Sequence, residues 1–284
     1  MKILFSLMVG VFPALLMGQN SPPNTAGEVI QTIIKNTGAT PVPNTVDVIK
    51  EGNPETTVTG IATCMFATME VLKRAVEKNC NLIIVHEPLY YNHLDKTEKF
   101  QGDSVFLMKK KFINDHNLVI WRFHDYIHRI QPDGVISGMV EKLGWEKNKV
   151  EGNPYKFSFP QITLGALLEN LKKTFPQNTV NVVGNPSMKL SGLMFVPGAA
   201  GSDMQIQALR DKDVQVVVAG EVPQWETYEY VRDAVTQGRK KAIIFIGHIN
   251  SEESGMKFGA DWMGKFIKNV PIFYIECGSS YWTY

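Results

Sequence analysis

Cysteine is scarce in this chain. Cys64, Cys80 and Cys277 are its 3 cysteines, an odd number with no Cys-x-x-Cys spacing. No dithiol motif is therefore present, and the three read as buried free thiols; a single disulfide stays open if the protein is exported. Charge of one sign is lacking too. Lys and Arg number 29 against 28 Asp and Glu, a formal net charge of +1. No basic stripe of the kind a nucleic-acid binder uses is present. The one like-charged run, Lys109-Lys110-Lys111, falls on a predicted helix and reads as a solvated face. A Walker-type Gly-rich phosphate loop is missing. So is any second long apolar stretch after the first 18 residues, which leaves no stable membrane span in the remainder.

Those first 18 residues differ from the rest. Met1-Lys2 opens with a positive charge, Ile3 to Leu16 is apolar apart from Ser6, Gly10 and Pro13, and a polar, Pro-rich segment follows Met17-Gly18. This layout predicts a signal peptide over 1–18 and a linker over 19–26, hence an exported protein, periplasmic or secreted. An uncleaved anchor and a buried N-terminal helix are the alternatives. At 284 residues, 44% hydrophobic and 20% charged, the chain can form one large domain or two modest ones with an ample core.

The chain repeats itself. Residues 45–62 read TVDVIKEGNPETTVTGIA and residues 179–194 read TVNVVGNPSMKLSGLM. Each copy is a β-branched run, a Gly-Asn-Pro turn and a second strand carrying a small Gly. Further along, NLIIVHE lies opposite QVVVAGE, matching Glu87 with Glu221, and WRFH lies opposite FIGH, matching His124 with His248. A period of ~130 residues is too long for a solenoid unit. It marks a duplicated α/β half-domain: a first repeat over 27–145, a connector over 146–160 and a second repeat over 161–284. Strands and helices alternate in both, and LIIV, VVVA and AIIF are apolar at every position, as in strands covered on both faces. The predicted class is therefore α/β, two intertwined repeats with mixed, mostly parallel sheets.

In such sheets ligands gather at the carboxyl ends of the strands. The residues there are His86-Glu87, then His124 with His128, then Glu221, then His248 with Glu252. His124/His128 and His248/Glu252 are each spaced i, i+4, which on a helical turn sets both side chains on one face. Imidazoles and carboxylates without cysteine suit zinc, manganese or iron, and such a group can hold two ions. Plainer roles exist for each residue alone. His86 could be a half-buried, hydrogen-bonded histidine, Glu252-Glu253 could serve the helix dipole, and Ser251 could cap that helix. The pattern's recurrence in both copies is what favours metal. His93 and His116 receive no role. The polar segment 88–103, directly after a strand end, is long enough to suggest a functional loop.

NLIIVHEPLYY, RFHDYIH, VVVAGE and GHINSEESG occur in this order, and the chain resembles the Nif-three-like family, also described as type 2 homologues of GTP cyclohydrolase I. The similarity runs over roughly residues 25–280. It implies a dinuclear metal site held by His86, Glu87, His128, His248 and Glu252. Glu87 stands where the family has a second histidine, and His128 where it has an aspartate; the tally of three imidazoles and two carboxylates is unchanged. His124 matches a non-ligand histidine near the metals, and Glu221 the acid of the second repeat. The resemblance also implies a toroidal homohexamer with its sites facing an inner cavity.

These readings lead to a metal-dependent hydrolase acting on a small molecule, with two divalent ions activating water and Glu87 or His124 shuttling the proton, and Glu221 nearby. The alternative is a non-catalytic metal carrier or store, which needs the ligands but no substrate pocket. A metal-free scaffold is the third. The cyclohydrolase name guides substrate poorly, because a family name does not fix chemistry and an exported protein would rarely meet GTP.

Overall fold

A strand that is apolar at every position must be covered on both faces, and that requirement sets the architecture. The structure is a computed structural model describing residues 24–176 and 180–279. The expected signal peptide and residues 19–23 of the linker lie outside the described residues. In chain order the first elements are α1 (Ala26–Thr37), β1 (Ile49–Glu51), β2 (Ile61–Cys64), α2 (Met69–Glu77), β3 (Leu82–Val85), α3 (Ser104–Asp115), β4 (Val119–Arg122) and α4 (Gly134–Leu143). There follow β5 (Lys149–Val150), β6 (Asn153–Thr163), α5 (Leu164–Thr174), β7 (Asn181–Val183), β8 (Lys189–Val196) and α6 (Ser202–Arg210). The chain continues through β9 (Val216–Ala219), α7 (Glu229–Thr236), β10 (Ala242–Phe245), α8 (His248–Met263) and β11 (Ile272–Tyr274).

The strands form two sheets, ordered β1-β4-β3-β2-β11 and β5-β6-β8-β9-β10-β7. Within the first, β2, β3 and β4 are parallel and β1 is antiparallel to β4. Within the second, β8, β9 and β10 are parallel and β7 is antiparallel to β10. The runs β1-β4-β3-β2 and β7-β10-β9-β8 are the same motif, so the duplication in the sequence is a duplication of topology. The halves are intertwined because C-terminal β11 pairs with β2 of the first sheet. The fold is thus α/β with two mixed sheets.

Period-two alternation divides each strand between two cores. In β3, Ile84 packs with Ile33 of α1 and Trp121, while Ile83 faces Leu72 of α2 and Phe106 of α3. In β9, Val216 and Val218 face Leu167 of α5, and Val217 faces Leu209 and Val231 of the outer helices. Helix α4 lies between the sheets. Its Val135 enters the core of the first, and its Ile136, Met139 and Val140 that of the second. Small residues let α4 and α8 cross closely: a Cβ on Gly138 would strike the Ser254 carbonyl oxygen, and one on Gly255 would come within 2.6 Å of Val135 Cα.

Three expectations change. Residues 146–160 are not a bare connector; they carry β5 and most of β6, whose Phe157 is fully buried against Trp145 in the second core. Helix α4 was not expected, because its apolar residues serve two cores and blur a one-sided pattern. Helix α8 begins at His248, and Ser251 lies inside it rather than capping it. All three cysteines are free, and among the described residues no helix is long and apolar enough to cross a membrane.

Candidate metal centre

His86 and Glu87 directly follow β3, His124 stands two residues past β4, and His128 lies in the short 3-10 turn that follows. His248 opens α8 after the two-residue link Ile246-Gly247 from β10, and Glu252 is one turn on. Gly247, at φ +90°, makes the bend that L side chains rarely adopt. From there α8 leaves the second sheet and packs on the first, where Thr63 Oγ1 donates to the Met256 carbonyl at 3.0 Å. This crossing carries His248 and Glu252 to His86 and Glu87. His248 Nε2 is 3.2 Å from Glu87 Oε1 and 3.0 Å from Glu252 Oε2, and His86 Nε2 is 3.5 Å from Glu252 Oε2. The His86 ring centroid lies 4.7 Å from that of His124 and 5.4 Å from that of His128. All the expected ligands therefore meet in one cluster, with His124 among them.

Each imidazole is tied from behind through Nδ1. The His86 contact is to the Phe123 carbonyl at 3.2 Å, the His124 contact to Asp125 Oδ1 at 3.0 Å. His128 Nδ1 meets Asp133 Oδ2 at 3.0 Å and His248 Nδ1 meets Glu221 Oε1 at 2.7 Å. All four partners are acceptors, so each Nδ1 donates and each Nε2 offers its lone pair to the cluster in the neutral ring. His86 makes the point most sharply. It is fully buried, and its Nε2 has no hydrogen-bond partner while facing a carboxylate. A lone pair against a carboxylate is repulsive unless a cation lies between them.

The electrostatics agree. Burial pushes His86 down, but the Glu252 and Glu87 carboxylates outweigh it and hold the ring above its usual value. Burial likewise opposes charge on His248, yet its hydrogen bonds to Glu252 and Glu87 lift it to about 11. Burial and the His86 charge press His124 down to about 4. Glu252, though buried, is held well below the usual carboxylate range by His248 and His86. The cluster draws in positive charge, and protons on His248 and His86 supply it when no other cation does. Two sets of ligand atoms lie close enough for one ion each, His86/His124/His128 and His86/Glu87/Glu252. His86 belongs to both, so its single free nitrogen serves one of them at a time. The donor set fits a metal.

Several supporting residues escaped the sequence reading. Asp47 accepts from the backbone N–H of His124, Asp125 and Tyr126 at 2.8–3.0 Å and fixes that loop. Asp133 accepts from the N-terminus of α4 through Oδ1 and from His128 and the Tyr155 hydroxyl through Oδ2. Fully buried Arg122 donates to Glu87 Oε2 at 3.3 Å, leaving Oε1 to face the histidines. An arginine inside the apolar run VIWRF was the visible signal for it. Glu221, expected near the catalytic centre, sits behind His248 as its Nδ1 partner. His93, given no role, lies with its ring centroid 6.1 Å from that of His124. Ser251 Oγ accepts from Gly198 N at 3.0 Å and holds the β8–α6 loop against Glu252. The cluster and His93 floor a cavity of about 910 Å³, whose far wall is β8, that loop and α6.

Comparison with known proteins agrees with this architecture. The sequence model of a family described as Duf34/NIF3 (NGG1p interacting factor 3) matches residues 44–278. A Clostridium acetobutylicum protein named GTP cyclohydrolase 1 type 2 homolog is 26% identical over 212 residues, 71% of this chain and 75% of that one. A solved Staphylococcus aureus hypothetical protein superposes with a TM-score of 0.71 at 17% identity, covering 92% of this chain and 99% of that one. A solved Bacillus cereus protein related to NIF3 gives 0.70 at 15% identity, over 93% and 100%.

Proposed function

This chain belongs to the Duf34/NIF3 family, and from that premise we propose that it is a dinuclear metal-dependent hydrolase of a small molecule. His86, Glu87, His128, His248 and Glu252 hold two divalent ions of zinc, manganese or iron type. The observation that carries this is the common orientation of the imidazoles, every Nδ1 hydrogen-bonded outward and every Nε2 turned in. Such ions, when bound, supply Lewis acidity toward water and toward a substrate oxygen.

The chain's own residues supply the rest. His124 offers a neutral Nε2 at neutral pH, 4.0 Å from Glu87 Oε1, and can take a proton from water and return it to a leaving group. Asp125 steadies the ring and the charge it gains, and is itself held by the Thr45 hydroxyl at 2.8 Å. The histidines, His248 foremost, keep Glu87 ionised against its burial, and Arg122 holds its other oxygen so that Oε1 faces them. Glu221 and Asp133 fix the orientation of His248 and His128. The cavity beside the cluster favours a hydrolase over the carrier reading, since a carrier needs no room for substrate. Export and a homohexamer belong to the same proposal.

The test is elemental analysis of purified protein beside a His248→Ala/Glu252→Ala variant. The proposal expects two equivalents of metal in the native protein and loss in the variant. Two equivalents retained by the variant would show the ions to be held elsewhere.

A further inference from the structure

The cavity has two chemically different ends. Its floor is the imidazole–carboxylate cluster, and its far wall is apolar, lined by Met194, Pro197, Ala199, Ala200 and Met204 of β8, the following loop and α6. Phe195 and Val196, buried on opposite faces of β8, anchor this wall in the two cores of the second sheet. Among the described residues that line the cavity none is Lys or Arg. The charged wall residue away from the cluster is Asp211, whose Oδ2 is 2.7 Å from Lys156 Nζ. That lysine is also 3.8 Å from Asp213 and so is shared between two carboxylates. Asn153, Tyr155 and Gln207 add uncharged hydrogen-bonding groups.

A polyanion has no partner here beyond the metal end, and would meet Glu87, Glu252 and Asp211 instead. A triphosphate is therefore a poor fit. The volume, about 910 Å³, lies at the upper end of what encloses a drug-sized molecule. Resting on the metal-hydrolase reading above, we infer that the substrate is an uncharged acyl compound, an amide or ester, with its carbonyl at the metal end and an apolar body along the β8–α6 wall. Its hydrolysis consumes one water: the hydroxyl joins the acyl carbon as the C–N or C–O bond breaks, and the remaining proton goes to the departing amine or alcohol through His124.

The experiment uses the full-length protein loaded with zinc, its metal content measured first, and hydroxamates as probes that present a metal-binding head on a chosen tail. Acetohydroxamate, octanohydroxamate and the octanoyl-length probe ending in a carboxylate are titrated by calorimetry. Each fully buried methylene is worth roughly fourfold in affinity. Six added methylenes, even partly buried, should tighten binding by more than about tenfold, and the terminal carboxylate should cancel most of that gain. Met204, 55% exposed on α6, can change without harming the fold. Met204→Glu should remove the tail dependence while leaving acetohydroxamate binding and metal content intact, and Met204→Leu should preserve both. Zinc-loaded protein that binds all three probes equally, or prefers the carboxylate tail, overturns this inference and leaves the metal reading standing. Protein that takes up no zinc overturns the metal reading, and this one with it.

Discussion

Asp133→Asn separates a metal ligand from a merely buried histidine. Asp133 Oδ1 accepts from Val135 N at 2.8 Å and Ile136 N at 3.0 Å, and Asn caps helices about as well as Asp, so the start of α4 survives. The other half of the side chain changes sign. Where Oδ2 accepts from His128 Nδ1 at 3.0 Å and from Tyr155 at 3.3 Å, the variant presents an amide NH₂, a donor. His128 must then accept at Nδ1 and carry its proton on Nε2, the nitrogen that faces the cluster. Loss of such a supporting acceptor costs ~10–100-fold in metal affinity, or ~1.4–2.7 kcal/mol. The assay is zinc binding by chelator competition, with urea unfolding of metal-free protein alongside. We expect weaker binding of one zinc and a metal-free stability change below about 1 kcal/mol. Unchanged affinity for both ions would refute the assignment of His128.

Gly198, at φ +62°, has Glu252 Oε1 where its Cβ would be, so Gly198→Ala should destabilise by ~1–3 kcal/mol in urea titrations and loosen metal binding together. Burial lifts Glu253 from the usual 4.5 to about 7. Between those values the unfolded chain has released a proton that the folded one keeps, so stability falls as pH rises through this window and is level above it. Glu253→Gln should match the native protein near pH 4 and exceed it by up to about 3 kcal/mol at pH 8, as read from urea midpoints; a constant offset across the range would contradict the burial account. Light scattering on the exported form should give a mass six times that of one chain.

Much of the site was legible because its ligands lie directly at strand ends. LIIV, VVVA and AIIF announce buried parallel strands, followed by His86 directly, by Glu221 after Gly220, and by His248 after Ile246-Gly247. What stayed hidden depends on residues that are near only in three dimensions. Asp133 follows His128 by five positions but gains its meaning from Tyr155 on β6, across a segment that reads as a polar connector. Helix α4 was missed for a related reason: it serves two cores, and an apolar surface on both sides has no clear helical stripe. Glu221 was visible as a strand-end acid, yet only the turn of α8 at His248 shows it behind the imidazole rather than inside the cluster. Lys109, one of three consecutive lysines that read as a solvated face, is in fact buried and donates to the Leu89 carbonyl at 2.7 Å under the 88–103 loop.

The most direct measurement is anomalous diffraction at the metal absorption edge from crystals of the native protein. The account predicts two peaks per chain within coordination distance of the inward-facing Nε2 atoms and the carboxylates of Glu87 and Glu252. Peaks elsewhere, or a cluster without density while metal is bound in solution, would contradict it.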